Sequence, residues 1–297
     1  MKRFLKKIII YGFSSFALLN IIAFVCLYFL ANSSFYKQQF VRNSINKIAF
    51  DYVILGSSTG LTTLDSKQID SISGLNGLNS SMDDSSLSAH YLMLQQFYNF
   101  GHQTKEVVLC VMPEDLSNLN PTINGNDYRF LPHANDENVK QYFSEMDGKN
   151  KWIYQLTPYV PIIGVSYFNS ELFYPGILTA FNPQKRNLFD DKGNYSYPAD
   201  QSASNQLLKE TTKTLKKVVV QNPYFIKIVD FCNVNQIKLT VYQSPIYKTE
   251  IIFEANLQLI NHATLLNDSS LFYDKIHVNK NGRTICSKAL GDYFSKQ

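Results

Sequence analysis

No charged residue occurs between Ile8 and Tyr36. That run limits the rest of the chain before any motif is considered. The stretch Ile8–Leu30 is long enough to cross the ~30 Å hydrocarbon core of a bilayer as a helix. Gly12, Ser14, Ser15 and Asn20 lower its hydrophobicity, yet all are tolerable in a spanning helix. The competing reading is a cleaved signal peptide. It needs a shorter apolar core and a small-residue cleavage site, for which Ala31-Asn-Ser-Ser34 is a weak candidate. The expectation is a cytoplasmic tip and signal-anchor over residues 1–31 and a juxtamembrane linker over 32–50. Lys2, Arg3, Lys6 and Lys7 precede the apolar run, which predicts a cytoplasmic amino end. Lys37, Arg42 and Lys47 follow it and dilute that signal. The main domain is then expected outside the cytoplasm, on a single-pass protein of the cell membrane.

These seven bases also distort the overall charge. The formal net charge is +4, but residues 1–50 hold seven of the 28 bases and no acid, which leaves 21 bases against 24 acids in the remainder. A mildly acidic body argues against nucleic acid as a partner. The 297 residues suffice for a full hydrophobic core. Cys26, Cys110, Cys232 and Cys286 are widely separated, with no Cys-x-x-Cys pair, and read as buried free thiols rather than a disulfide framework or a zinc site.

After the linker, the run Asp51-Tyr-Val-Ile-Leu-Gly-Ser-Ser58 reads as a buried strand that stops at a glycine and delivers two serines. Leu61–Ile72 is a short helix or turn-rich segment, and Leu75–Leu78 a brief second strand. Asn79–Asp84 is a loop in which Asp83 and Asp84 offer helix-capping chemistry. Leu87–Phe100 has apolar residues at helical spacing and ends near Gly101. Lys105–Met112 is a third strand, closed by Pro113. Strand, loop, strand, helix, strand predicts an α/β domain with a parallel sheet over residues 51–297. Residues 113–215 break the rhythm. They are rich in Asn, Asp, Pro and Tyr, hold the sole Trp152, and read as a large insertion, either facing a substrate or a plain structural excursion. Within it Asn135–Met146 is a candidate helix. Regular order returns at Leu207–Val220. A helix over Pro223–Gln236, a strand over Ile237–Tyr242, a helix over Glu250–Ala263, a short strand or extended link within Thr264–Phe272 and a final helix over Asn281–Phe294 complete the reading.

Ser58 is the candidate nucleophile. A serine hydroxyl needs a base to take its proton. His277 is the candidate base, and Asp274, three residues earlier, is spaced to reach the imidazole and fix its tautomer. The plainer alternatives are a turn serine and a surface His–Asp pair.

Gly56-Ser57-Ser58 after an apolar strand, with Asp274-Lys-Ile-His277-Val-Asn-Lys-Asn-Gly282 before a last helix, resembles the SGNH (GDSL-type) hydrolase superfamily. The resemblance covers about residues 50–112 and 222–294. It implies a three-layer α/β/α fold with a short parallel sheet of the SGNH or flavodoxin-like kind. It also implies Ser58, His277 and Asp274 as catalytic residues, with Ser57 at a variable position. In that family a backbone N–H after the second strand helps to form the oxyanion hole. Asn76-Gly-Leu-Asn-Ser80-Ser81 is similar to that turn, which makes Ser81 or Gly77 the partner of the Ser58 N–H. The family's asparagine after the third strand is absent, since Met112-Pro113-Glu114-Asp115 stands there. Losing one oxyanion donor costs about 10²–10³ in rate, so the departure points to a substitute group, a slow site or a non-hydrolytic role.

Membrane-anchored members with a Gly-Ser-Ser turn resemble accessory proteins of cell-surface polymer acylation, as in teichoic-acid D-alanylation and alginate O-acetylation. The resemblance implies a serine esterase or O-acyltransferase acting on a cell-surface glycan or acylated polymer, beside a multi-spanning membrane O-acyltransferase. The alternative is a non-catalytic binding or scaffold protein of a polysaccharide acylation or export complex, and a secreted lipase is a weaker third reading. No phosphate-binding glycine motif is present, so no nucleotide cofactor is expected. His90, His102, His133 and His262 lack metal-ligand spacing, so no metal is expected. Glu114 and Asp115 read as site-lining residues or a solvated loop, and Arg283 as a helix-surface residue rather than a substrate clamp.

Overall fold

A computed structural model describes residues 1–46, 48–198, 212–254 and 257–297. The chain divides into two compact units, each built from two stretches: Met1–Ser44 with Gly125–Asn187, and Ile45–Asn124 with Leu188–Gln297.

The first unit begins with helix α1, Lys2–Ala31, followed by α2, Lys37–Asn43. Helix α1 is long and apolar enough to cross a membrane, with a mean hydropathy of 2.2 in its most apolar window. Of its residues only Ala23, Cys26, Leu27 and Leu30 are buried, all in the carboxyl-terminal third. The rest of the unit is helical: Glu137–Glu145, Lys151–Leu156, Pro161–Tyr167 and Tyr174–Phe181. The aromatic richness of this part of the chain makes a core. Phe143 and Tyr154 lie 4.7 Å apart between ring centroids, Tyr128 and Phe168 5.1 Å. The buried Asp127 accepts a hydrogen bond of 2.6 Å from Tyr142 Oη.

The second unit carries a parallel sheet of five strands in the order β2-β1-β3-β5-β7. These are β1 Ala49–Leu55, β2 Gly77–Asn79, β3 Gln103–Val111, β5 Lys238–Gln243 and β7 Leu259–Asn261. Val53-Ile54-Leu55 and Val107–Val111 are buried throughout, as expected of parallel strands covered on both faces. The helices of six residues or more are α3 Ser58–Thr63, α4 Ser66–Ser73, α5 Leu87–Asn99, then Pro223–Val234 and Lys280–Phe294. Their ends follow local chemistry. Asp65 caps α4 by accepting from Lys67 N–H, and Gly74 ends it at φ 74°. Asn222 caps the Pro223–Val234 helix, with proline at the position where a missing N–H costs nothing. One apolar cluster joins Tyr52, Ile54, Val108, Cys110 and Tyr242 of the sheet to Ile69 of α4 and to Cys286, Leu290 and Phe294 of the last helix. Each such large side chain contributes about 1.5–3 kcal/mol by leaving water. All four cysteines are buried and free.

Two sequence expectations change here. The helix expected over Glu250–Ala263 is replaced by β6, Thr249–Phe253, and by β7, with residues 255–256 outside the described part. Ile251 is buried while Glu250 is exposed, and the β-branched pair Ile251-Ile252 suits a strand that pairs in parallel with β4, Thr214–Val218. The strand β4 also occupies part of Leu207–Val220, whose residues 207–211 lie outside the described part. The helix α5 is capped at Ser86 rather than by Asp83 or Asp84, and Asp84 itself is in the left-handed region at φ 46°.

Candidate active site

The turn after β1 is tight because two glycines allow it. A Cβ on Gly56 would lie 2.7 Å from Cys110 Cβ and 3.0 Å from Cys110 O, and one on Gly60 would lie 2.7 Å from Ser81 Oγ and 2.9 Å from Cys110 Cβ. The chain therefore leaves β1 hard against β3 and enters α3 at once. Ser57 is the cap residue and Ser58 the first helical residue. A first-turn N–H has no carbonyl one turn back to bond, so Ser58 stands at the carboxyl end of the sheet with its amide directed out of the helix.

The opposite half is built by the chain from Phe272 to Gly282. Phe272 is fully buried and anchors the turn. Asp274 Oδ1 accepts from the Ile276 and His277 N–H groups, both at 2.9 Å, and Tyr273 N–H donates to His277 O at 2.8 Å. Asn279, fully buried, caps the last helix by accepting from Asn281 and Gly282 N–H, while its own amide donates to Ser270 O at 2.7 Å. At Gly282 any Cβ would collide with Leu271 O and Val278 Cβ. The asparagine and glycine after the histidine thus have mechanical reasons: one starts the helix two residues beyond His277, the other lets it lie against the preceding turn.

The two halves meet. His277 Nε2 is 2.7 Å from Ser58 Oγ, across 219 positions of sequence, and His277 Nδ1 is 2.7 Å from Asp274 Oδ2. Burial pushes the Asp274 carboxyl up, but the hydrogen bond and charge of His277 and the two backbone N–H groups outweigh it and hold the group below its usual range. An ionised Asp274 accepts Nδ1–H, which leaves the Nε2 lone pair facing the serine hydroxyl. The His277 side chain is 13% exposed and that of Asp274 42%, so the imidazole is shielded while the carboxylate keeps partial contact with solvent. A serine so placed can lose its proton to the ring during attack on a carbonyl, and the carboxylate stabilises the imidazolium that forms.

A comparison with protein-family models finds no match to this chain, and a comparison with curated proteins finds none either. The chemistry of the site rests on its geometry.

Tyrosines flank this group. Tyr197 stacks on Tyr273 at 3.9 Å with rings 3° from parallel, and presents its edge to the His277 ring at 5.7 Å. Its backbone is tied to the same turn, pairing with Asn279 and accepting from Lys280 N–H at 3.0 Å. Burial, then the neighbouring Tyr195 and Asp274, push the Tyr197 hydroxyl up, so it stays neutral. Sequence reasoning missed Tyr197. It lies within the stretch 113–215 yet belongs to the sheet unit, and nothing local marks it.

The two residues proposed to join Ser58 in holding an oxyanion are placed differently. Ser80 N–H donates to Ile54 O of β1 and Met82 N–H to Gly56 O just beyond it, so the intervening Ser81 N–H faces the other way. It donates to Asn79 Oδ1 at 3.0 Å. Gly77 is level with Tyr52, several residues upstream of Ser58, and its N–H donates to Asp70 Oδ1 at 2.8 Å. A Cβ there would overlap the Tyr52 ring, which is the reason for glycine. Gly77 therefore stands apart from the Ser58 group. After β3, Glu114 pairs with Lys216, and burial followed by the Glu114 charge pushes the Asp115 carboxyl up to about 6. Arg283 is not a surface residue: it is buried and pairs with Asp65 at 3.0 Å, tying the last helix to the start of α4. Among the described residues no group of three or more His, Cys, Asp or Glu side chains could hold a metal ion.

Proposed function

We propose that this chain is a membrane-anchored serine acyl-ester hydrolase or O-acyltransferase of the SGNH kind, acting outside the cytoplasm on a cell-surface polysaccharide or related polymer. The observation that carries this reading is the relay of 2.7 Å contacts from Ser58 Oγ through the imidazole to Asp274. Ser58 Oγ attacks the acyl carbonyl as its proton passes to His277 Nε2. The ester bond breaks and the departing alkoxide takes that proton. Water or a sugar hydroxyl then attacks the acyl-serine, delivers its proton to Nε2, and Ser58 recovers it on release. Water makes the enzyme an esterase, a sugar hydroxyl a transferase. The Ser58 N–H holds the developing oxyanion, and Ser81 N–H joins it only by exchanging its bond to Asn79. The parallel sheet fits the three-layer α/β/α architecture of that superfamily. The helix α1 serves as the anchor, and the four bases before its apolar run favour a cytoplasmic amino end. A multi-spanning O-acyltransferase is the natural partner for acyl supply in this setting.

One observation favours a second reading. The committed Ser81 N–H and the missing asparagine leave the oxyanion site with one placed donor, which suits a non-catalytic binding or scaffold protein. Labelling with a fluorophosphonate separates the two. Full-length protein in detergent should label, and Ser58→Ala and His277→Ala should each abolish it. Folded wild-type protein that does not label would leave the scaffold reading.

A further inference from the structure

In the first unit, helix α1 is flanked along its carboxyl-terminal half. The Pro161–Tyr167 helix meets it at Asn20, whose Oδ1 accepts from Ile162 N–H at 3.3 Å while its Nδ2 donates to Phe16 O at 2.9 Å. The Tyr174–Phe181 helix meets it at Cys26. A Cβ on Gly176 would lie 2.8 Å from both Cys26 Cβ and Cys26 O, so the two backbones are in direct contact. Such close approach through small residues is the packing mode of helices in lipid. Between this second helix and α1 runs a crevice of about 320 Å³. Ile21, Ile22, Val25 and Phe29 wall it on one side, Phe173 and Ile177 on the other.

The composition of these helices matches the location. Between Lys151 and Lys185 the only charged residue is Glu171. Polar groups are satisfied inside the unit: Thr179 Oγ1 donates to Pro175 O at 2.8 Å, and the Ile162 N–H, unpaired within its own short helix, is taken by Asn20. The outer surface carries apolar and aromatic side chains, with Tyr159 78%, Ile177 43% and Phe181 87% exposed, alongside the uncharged Ser166, Asn169 and Ser170. Tyrosine at such a border is the residue type that sits where acyl chains meet headgroups. The crevice is continuous with the α1 surface, and its α1 wall lies inside the uncharged stretch Ile8–Leu30. A surface at that level of a spanning helix faces hydrocarbon.

We propose that phospholipid acyl chains fill this crevice, so that the Pro161–Tyr167 and Tyr174–Phe181 helices are seated in the membrane beside α1. The unit is then embedded in one leaflet instead of hanging from a single helix. This rests on the reading of α1 as a membrane span and is independent of the reading of Ser58.

The test uses the full chain in phosphatidylcholine–phosphatidylglycerol vesicles whose acyl chains carry bromine, a contact quencher of tryptophan. In a Trp152→Phe background, single tryptophans are placed by Ile177→Trp, by Phe16→Trp in the exposed part of α1, and by Val234→Trp in the other unit. Phe181→Trp duplicates the first in case Ile177→Trp fails to fold. Tryptophan at 177 or 181 is expected to lose most of its emission, as at 16, while that at 234 keeps it. Full emission at 177 and 181 with quenching at 16 overturns the proposal, and means that water, a second copy or another protein covers the crevice. Full emission at 16 as well overturns the reading of α1 as a span, and this proposal with it.

Discussion

Exchange of Asp274 for asparagine removes a charge and keeps a shape, and the structure says what each is worth. The asparagine carbonyl can still accept from the Ile276 and His277 N–H groups, which Asp274 Oδ1 meets at 2.9 Å each. Its NH₂ then faces His277 Nδ1, where the carboxylate now sits at 2.7 Å. To accept that donor the imidazole must move its hydrogen to Nε2, where it points at Ser58 Oγ and cannot take the serine proton. An inverted tautomer with intact geometry costs about 10⁴ in rate. The stability cost is far smaller. A charge-assisted hydrogen bond is worth about 1.5–3 kcal/mol when shielded, but the Asp274 side chain is 42% exposed, which screens the pair and leaves about 1 kcal/mol or less. Because the folded carboxyl lies below its ordinary value of 3.8, this contribution is complete above that value and is lost as pH falls through the folded one. Fluorophosphonate labelling kinetics and urea melts at pH 7 measure the two quantities on one sample. Asp274→Asn should label about 10³–10⁴ times more slowly and melt within about 1 kcal/mol of wild type. Asp274→Ala, which also strips acceptors from two N–H groups, should lose about 1–2 kcal/mol more. Labelling of the asparagine variant at the wild-type rate refutes the tautomer argument. A loss of several kcal/mol refutes the premise that the turn keeps its shape.

Three further outcomes can be measured on the same protein. Asp115, with its carboxyl pushed up to about 6, destabilises the folded state by an amount that is absent below 3.8, builds as pH rises from 3.8 to about 6 and is complete above it. Asp115→Asn should therefore stabilise by about 1–2 kcal/mol at pH 7.5 and by nothing at pH 3.5 in urea melts, and an equal effect at both pH values contradicts this. Gly60→Ala places a methyl 2.7 Å from Ser81 Oγ and 2.9 Å from Cys110 Cβ, so it should cost about 1–3 kcal/mol and slow labelling by shifting α3. A variant as stable and reactive as wild type shows that the turn has slack. Tyr197→Phe should label normally, whereas Tyr197→Ala, which loses the edge contact with His277, should label about 2–10 times more slowly. Equal rates for both variants remove Tyr197 from the positioning of the histidine.

The parts legible in the sequence are those specified by nearby residues. Val53-Ile54-Leu55 and Val107–Val111 announce buried strands because both faces of each are covered. The last turn is legible because Asp274, Asn279 and Gly282 act on N–H groups and carbonyls within a dozen positions of His277. What was misread depends on remote partners. The segment Thr249–Phe253 becomes a strand because Thr214–Val218 pairs with it, and its isoleucines alone suit a helix nearly as well. Arg283 is buried by a carboxylate at position 65, which helix spacing cannot reveal. Ser81 stands beside the right turn, but the direction of its N–H is set by the alternation of Ser80 and Met82 along the end of β1 and Gly56. Tyr197 reaches His277 through pairing with Asn279, which leaves no trace in its neighbours.

The distance along the chain between Ser58 and its base has a consequence for biogenesis. At about 5–20 residues per second, the 219 positions separating them take about 10–45 s to synthesise. Throughout that interval the emerging serine lacks the His277 contact on which the proposed chemistry depends, even if β1 and α3 have already formed. The Ser58–His277 contact forms only when the segment bearing His277 has left the ribosome and its helix has packed on α4. On the proposed reading, a nascent chain, or one truncated before His277, holds a serine not yet activated for acyl transfer, and the polypeptide's own length acts as its timer.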